Sequence, residues 1–144
     1  MIDVDGIGAT LRRCCCDERL ELAAGLGGEY VASIRPDCLV AAVQALMEQH
    51  VHHLGAISGL DTGDGFQVLY HFWSGGGLTL RVSCPKGRAV LPTLAGLIPA
   101  ADWYEREVHE LLGIKFAGHP DLARLLLPED WDGPPPLLRK EDAQ

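Results

Sequence analysis

Residues 102–140 read DWYEREVHELLGIKFAGHPDLARLLLPEDWDGPPPLLRK, and the rest of the chain is interpreted outward from them. The first half predicts an amphipathic helix, because apolar residues recur there at helical spacing. The residues of this stripe are Tyr104, Val108, Leu111 and Leu112. Asp102 is placed to act as N-cap, with Glu105 three residues later as its partner in a capping box. Gly113 stands where a left-handed residue would end the helix.

The chain beyond Phe116 loses this helical spacing. Prolines stand at positions 120, 128, 134, 135 and 136, among many leucines and Trp131. Because proline lacks a backbone donor and interrupts regular structure, this apolar surface cannot be buried in a helix or central strand of its own. We therefore expect residues 117–144, called the C-terminal segment below, to lie across a surface of their own domain or of a partner.

The order and spacing of the motifs in this stretch carry a family resemblance. The motifs are Glu105-Arg106-Glu107, Glu110-Leu111-Leu112, Gly118-His119-Pro120-Asp121-Leu122, Arg124-Leu125-Leu126, Asp130-Trp131 and Leu138-Arg139-Lys140. The stretch resembles the signature of the thirty-kilodalton subunit family of respiratory complex I, which includes the related subunit of energy-converting membrane-bound nickel-iron hydrogenases. Ala123 stands where complex I members usually have a second basic residue, and the end after Gly133 lacks a His often seen there. These departures and the short chain favour the hydrogenase branch.

The resemblance implies a non-catalytic peripheral-arm subunit of a complex I-type oxidoreductase, either an NADH:quinone oxidoreductase or an energy-converting nickel-iron hydrogenase. Such a subunit docks on the hydrogenase-like large subunit, next to the small iron–sulfur subunit, and supports electron transfer coupled to ion translocation. It carries no cofactor or metal itself, because the iron–sulfur clusters and any nickel-iron site lie in its partners. Those partners hold it peripherally on the cytoplasmic side of the cell membrane. The donor, whether NADH, hydrogen, formate or carbon monoxide, is set by other subunits.

The resemblance also assigns a set of residues to contact with partner subunits. They are Glu105, Arg106, Glu107, Glu110, His119, Asp121, Arg124, Trp131, Arg139 and Lys140. In such an interface, arginines suit bidentate pairing with carboxylates of the partner, and the leucines with Trp131 would be the buried anchors.

Composition fits a globular protein without a nucleic-acid role. The 144 residues predict one domain, and 47% hydrophobic with 22% charged residues is ordinary. The net charge is −8, and ten acidic but only five basic residues follow position 101, whereas a nucleic-acid or anionic membrane surface requires a basic patch. No apolar run of about 18 residues predicts a membrane span. The N-terminus has no signal-peptide pattern.

The cysteines do not form a metal-binding pattern. They are Cys14, Cys15, Cys16, Cys38 and Cys84. Zinc sites and iron–sulfur clusters do not use this spacing, and three consecutive side chains point in different directions. We expect reduced thiols in a reducing compartment.

The chain before residue 102 predicts an α+β domain. Periodicity predicts helices at 11–24, after Pro36 and briefly at 90–97, and strands at 29–35, 53–60, 66–73 and 78–84. The stretches 61–65 and 74–77 fit tight turns rather than an aspartic-protease motif or a phosphate loop. Consecutive strands predict a mainly antiparallel sheet with helices packed on one face. Residues 1–116 would form this domain, and 117–144 an irregular Pro-rich extension that docks on a partner subunit.

A catalytic interpretation of the helix is the alternative. His109-Glu110 begins like the H-E-x-x-H helix of zinc proteases, but the second His is missing. Glu105 and His109 share a helical face and would suit acid/base chemistry in a free-standing enzyme or a metal-binding protein. No nucleophile or cofactor loop accompanies them, so a capping acid and an outer ion pair between Arg106 and Glu110 are favoured.

Overall fold

The structure, a computed structural model, describes residues 1–140. The helices are α1 (Val4–Cys15), α2 (Leu39–Glu48) and α3 (Ala101–Leu112). The strands are β1 (Ala23–Ala24), β2 (Tyr30–Ile34), β3 (His53–Asp61), β4 (Gly65–Trp73), β5 (Gly77–Pro85), β6 (Val90–Pro92) and β7 (Lys115–Ala117). Short 3-10 turns occupy Pro36–Cys38 and Lys86–Arg88.

The main sheet has five strands in the order β1-β2-β5-β4-β3, and β6 pairs with β7 in a separate two-stranded sheet. Only β2 and β5 run parallel within the main sheet, whereas its other neighbours are antiparallel. The predicted α+β class with a mainly antiparallel sheet is therefore confirmed. Tight turns join β3, β4 and β5 into a meander, because Gly63 and Gly75 adopt positive φ angles of 92° and 66°.

One face of the meander forms the core. Alternate residues of β4 and β5 are buried there, as the period-two pattern predicts. They are Phe66, Val68, Tyr70 and Phe72 in β4, and Leu78, Leu80, Val82 and Cys84 in β5. Buried side chains of all three helices, among them Leu11, Leu46 and Val108, belong to the same apolar cluster.

Helix α3 lies directly against β3 at Gly59. A Cβ atom at this position would lie 2.5 Å from Leu112 Cδ1 and 3.1 Å from Val108 Cγ1. Gly59 is paired with Val68, whose side chain faces the core. The missing side chain thus brings α3, and everything attached to it, close to the sheet.

Two predicted helices are misplaced. The first helix spans Val4–Cys15 rather than 11–24, because the Asp3 carboxylate accepts the Gly6 N–H at 3.0 Å and starts it earlier. Cys16, with φ of 49°, ends it. The short helix predicted at 90–97 is wrong, since Val90–Pro92 is a strand that pairs with Lys115–Ala117, 25 residues later. Local periodicity does not report such a long-range pairing.

Candidate functional site: the C-terminal segment on helix α3

The described part of the C-terminal segment, residues 117–140, follows one face of α3. Asp102, Arg106 and Glu110 are spaced four residues apart, so they lie on the same side of the helix. Each of them contacts a successive stretch of the segment, beginning at His119 and ending at residue 127. Beyond β7, which ends at Ala117, residues 118–140 contain no helix or strand, so these contacts define their path.

Glu110 holds the middle of the segment. Its carboxylate accepts the backbone N–H groups of Leu125, Leu126 and Leu127 at 3.0, 2.8 and 3.0 Å. Burial alone would raise the pKa of Glu110, but these three donors and the nearby Arg124 charge lower it below the ordinary value. An ionised carboxylate therefore curls the chain around itself and leaves the Leu126 side chain 64% exposed.

The two arginines of the motif bind carbonyl groups of the same segment. Arg106 donates from Nε to the Ala123 oxygen at 3.0 Å and from Nη2 to the Arg124 oxygen at 2.7 Å. Arg124 donates in turn to the oxygens of Pro128 and Trp131 at 2.8 and 2.5 Å. The predicted ion pair between Arg106 and Glu110 is wrong, because both side chains turn to the backbone of the segment instead.

His119 fixes the beginning of the segment on the first turn of α3. Its side chain is fully buried, and Nε2 donates to the Asp102 carbonyl at 3.1 Å, with Asp102 Oδ1 also 3.1 Å away. Nδ1 accepts the Asp121 N–H at 2.9 Å, which assigns the proton of the neutral ring to Nε2. The Asp121 carboxylate accepts the Ala123 N–H at 3.1 Å and shapes the next turn.

The predicted capping box is wrong. The residue before the helix is Ala100, and no side chain caps it. Glu105 is fully buried and points to the loop after β6, where it accepts the Leu94 N–H at 2.6 Å and the Thr93 hydroxyl at 2.5 Å. Burial raises the pKa of Glu105 although both donors oppose it. The buried donors in that loop outcompete the exposed end of the helix for this carboxylate.

The end of the segment is tied to the β3–β4 turn through Asp61. The Asp61 carboxylate accepts the Arg139 N–H at 2.9 Å and lies 2.7 Å from Lys86 Nζ. Burial alone would raise the pKa of Asp61, yet the bond to Lys86 and the backbone donors of Arg139 and Gly63 lower it to about 2. Closer to α3, the Leu137 N–H donates to the Leu111 oxygen at 2.9 Å.

The remaining predicted residues are Trp131, Glu107 and Lys140. Trp131 Nε1 donates to the Pro134 oxygen at 3.2 Å, which folds the Pro-rich turn back on itself. Glu107 is half-buried and Lys140 exposed, and within residues 1–140 neither forms a hydrogen bond or ion pair. Sequence reasoning missed Asp61 and Thr93 as partners of this site, since both are remote from it along the chain.

A cavity of about 230 Å³ lies between α3 and the segment, lined in part by His109, Leu122 and Trp131. His109 Nδ1 lies 2.7 Å from the Ile114 oxygen, so that nitrogen donates within the chain. Glu105 is buried on the opposite side, against Thr93, and the two do not form a shared acid/base site. Among the described residues, no group of three or more His, Cys, Asp or Glu side chains is arranged to hold a metal ion.

Within residues 1–140, no helix is both long enough and apolar enough to cross a bilayer.

An α+β domain with a C-terminal segment bound to its last helix is thus the class that the fold and site define. Residues 32–144 match the model of the "Respiratory-chain NADH dehydrogenase, 30 Kd subunit" family. The chain belongs to this family, as its motifs indicate.

Curated relatives support the same family. The C-type subunit of NADH-quinone oxidoreductase from Roseiflexus sp. is 33% identical over 83% of this chain and 72% of its own length. Its counterpart from Chloroherpeton thalassium is 43% identical over 62% of this chain but only 38% of its own length. A fused C/D-type protein of NADH-quinone oxidoreductase from Aeromonas salmonicida is 48% identical over 58% of this chain and 14% of its length. The chain therefore spans well under half of these last two relatives.

Two solved structures share the fold. The one described as "Nqo5 of the trypsin-resistant fragment (1-134)" superimposes with a TM-score of 0.68 and 25% identity, over 78% of this chain and 96% of that one. A chain from the membrane-bound sulfane sulfur reductase, an archaeal respiratory membrane complex, gives a TM-score of 0.65 over 88% of this chain and 76% of that one. At 18% identity, the second shows similarity of fold alone.

Proposed function

We propose that this chain is a non-catalytic subunit of a complex I-type oxidoreductase and docks on its hydrogenase-like large subunit through the C-terminal segment. Family membership supports the type of complex. The observation that carries the docking role is the segment itself, whose backbone groups are bound internally while apolar side chains remain exposed. A segment that only closed its own domain would bury these side chains.

The exposed apolar side chains are the proposed anchors. Leu126 is 64% exposed, Leu137 56% and Trp103 of α3 62%. Large exposed apolar groups on a structured surface typically mark protein interfaces, in which a few such anchors supply most of the binding energy. Because Leu137 is bonded to the backbone of Leu111 on α3, helix and segment would present one combined surface.

The charged residues of the motif then act mainly by holding this surface in shape. Arg106, Glu110 and Arg124 bind backbone groups of the segment, so their contribution to partner binding would be indirect. Glu107, Glu129 and Asp130 form no hydrogen bond within residues 1–140 and would face basic groups at the rim of the partner surface. Arg139 and Lys140 would contact the partner from the end of the segment.

The small iron–sulfur subunit is proposed as the neighbouring partner, and the complex as the site of electron transfer coupled to ion translocation. This chain would contribute no cofactor and would be attached to the cytoplasmic side of the membrane only through its partners. These proposals rest on the family, whose name refers to the respiratory-chain NADH dehydrogenase.

The test is a pull-down from solubilised membranes of the native host with a tag at the N-terminus of the full chain. We expect the wild-type chain to recover a hydrogenase-like large subunit and an iron–sulfur subunit, identified by mass spectrometry. The Leu126→Asp/Leu137→Asp variant should recover at least about tenfold less, since each charge would be buried unpaired at the interface.

Leu26→Asp is the matched control, because Leu26 is fully exposed in the turn before β2, outside the segment. All variants should keep the wild-type melting temperature. Wild-type recovery by the double variant would reject the docking surface but not the role as a subunit. Recovery of the wild-type chain alone would reject that role itself.

A further inference from the structure

Four of the five cysteines meet where α1 ends and α2 begins. Cys15 and Cys38 are buried, with 2% and 4% of their surface exposed. Cys14 is half-buried and Cys16 is exposed. The fifth, Cys84, lies separately in β5. The cluster therefore combines a buried pair with two thiols nearer to solvent, a pattern that the proposed docking role does not use.

Arg35 brings the buried pair together. Its Nη2 donates to the Cys15 carbonyl at 3.1 Å, which ties the loop before α2 to the end of α1. The Cys38 thiol donates to the Arg35 carbonyl at 3.3 Å. The Cys15 side chain forms a hydrogen bond with Cys38, so the two sulfur atoms are direct neighbours although 23 positions separate them in the chain.

A metal site does not account for this pair. Among the described residues, no third His, Cys, Asp or Glu completes a metal-binding group with them. A structural zinc site normally uses four ligands, and a buried pair of thiols provides only half of that number. Two sulfur atoms in direct contact are instead the starting geometry of a disulfide, which needs only a further approach to bonding distance.

We propose that Cys15 and Cys38 form a site of reversible oxidation, closed as an intramolecular disulfide by exchange with a low-molecular-weight disulfide such as oxidised glutathione. One protein thiolate attacks a sulfur of the small disulfide, breaks its S–S bond and releases one small thiol. The second protein thiolate then attacks the protein sulfur of this mixed disulfide and releases the other small thiol. The protein sulfurs lose two electrons and two protons, which the small disulfide takes up as two thiols.

Burial makes this exchange slow in the native state. Burial and the bond to Cys38 raise the pKa of Cys15 to about 12, so that its reactive thiolate is scarce at neutral pH. The rate of closure should therefore rise with pH. The closed bond would covalently link α1 to the start of α2, and a disulfide that closes a loop of this length restricts the unfolded chain and stabilises the fold.

The test uses the full-length chain with Cys14→Ser and Cys16→Ser, so that only the buried pair and Cys84 remain. The protein is incubated with oxidised glutathione between pH 7 and pH 9, remaining thiols are alkylated, and peptides are mapped by mass spectrometry. We expect a Cys15–Cys38 cross-link in monomeric protein, faster formation at pH 9, full reversal by dithiothreitol and a higher urea midpoint for the oxidised form.

Two matched variants in the same background complete the test. Cys38→Ala should abolish the cross-link, whereas Cys84→Ala, which removes a comparably buried but isolated thiol, should leave it intact. If Cys38→Ala fails to fold, Cys15→Ala tests the same pair from its other side. Glutathione adducts without a cross-link, covalent dimers, or no reaction below the urea unfolding transition would each overturn the proposal.

Discussion

Glu105 and Glu110 lie five residues apart on α3, and both are buried, yet their pKa values move in opposite directions. Glu105 faces the protein interior, where burial outweighs its two hydrogen-bond donors. Glu110 faces the segment, where three backbone donors and Arg124 outweigh burial. The environment of each carboxylate, which the sequence does not reveal, decides which of them stays ionised.

Replacing Glu110 by Gln should loosen the middle of the segment. A Gln amide can keep one acceptor oxygen but turns an NH2 group toward donors, so we expect a loss of about 1–3 kcal/mol. Hydrogen exchange at the amides of residues 125–127 and urea unfolding measure it. Glu107→Gln is the control, since Glu107 forms no hydrogen bond within residues 1–140.

The lowered pKa of Glu110 also fixes the direction of a pH effect. Its stabilisation is present above the unfolded-state value of about 4.3 and is lost as pH falls through the lower folded-state value. Amide protection at residues 125–127 should therefore persist at neutral pH and decline only in acid. Protection that already declined between pH 8 and pH 6 would contradict this assignment.

Glu105 should show the opposite dependence. Because its pKa is raised in the folded state, the stabilisation it gives is complete below about pH 4.3 and is lost as pH rises through the folded-state value. Glu105→Gln keeps an acceptor for Leu94 and cannot ionise, so its unfolding free energy should not fall over that range. An identical pH profile for variant and wild-type protein, measured by urea unfolding, would show that Glu105 does not titrate there.

At the scale of elements, local patterns predicted what depends on neighbours in sequence. Period-two burial in β4 and β5 and the Gly-rich turns indicated the meander, and Gly113, with φ of 80°, ends α3 as predicted. The pairing of β6 with β7 was not predictable from spacing. It depends on Pro92 and on partners 25 residues away, as well as on Glu105, which binds the adjoining loop.

Gly59 controls how closely α3 approaches the sheet. In Gly59→Ala the added methyl would lie 2.5 Å from Leu112 and 3.1 Å from Val108, so the helix or these side chains must shift. We expect a loss of about 1–3 kcal/mol in the free energy of unfolding. Gly55→Ala in the same strand is the control, because its methyl meets its nearest atom at 3.7 Å. Equal melting temperatures for the two variants would contradict the role of Gly59.

At the scale of the whole molecule, the site combines residues from the β3–β4 turn, the loop after β6, α3 and the C-terminal segment. The sequence indicated the helix and the segment, because family motifs lie there. It indicated a partner surface for the charged residues, and the structure shows that most of them also bind their own chain. Contact of these residues with a partner stays a prediction, since either type of carboxylate or carbonyl attracts an arginine.

Asp61 links the end of the segment to the distant turn, so Asp61→Asn should free residues 137–140 without unfolding the sheet. Asn cannot form the ionic contact with Lys86 and accepts more weakly from Arg139. Trypsin should cut after Arg139 faster in this variant than in Asp64→Asn, a control in the same exposed turn. In the wild-type protein the link should weaken only as pH falls from about 4 toward 2, because the folded-state pKa is about 2.

Helix α3 binds the peptide backbone of the segment, through Arg106 at two carbonyls and Glu110 at three amides, and makes no use of the side chains there. Any residue except proline supplies such an amide. The course of the loop is thus independent of which residues occupy positions 125–127. Substitutions at these three positions can adapt the exposed surface to a different complex during evolution, while the frame that displays them stays the same.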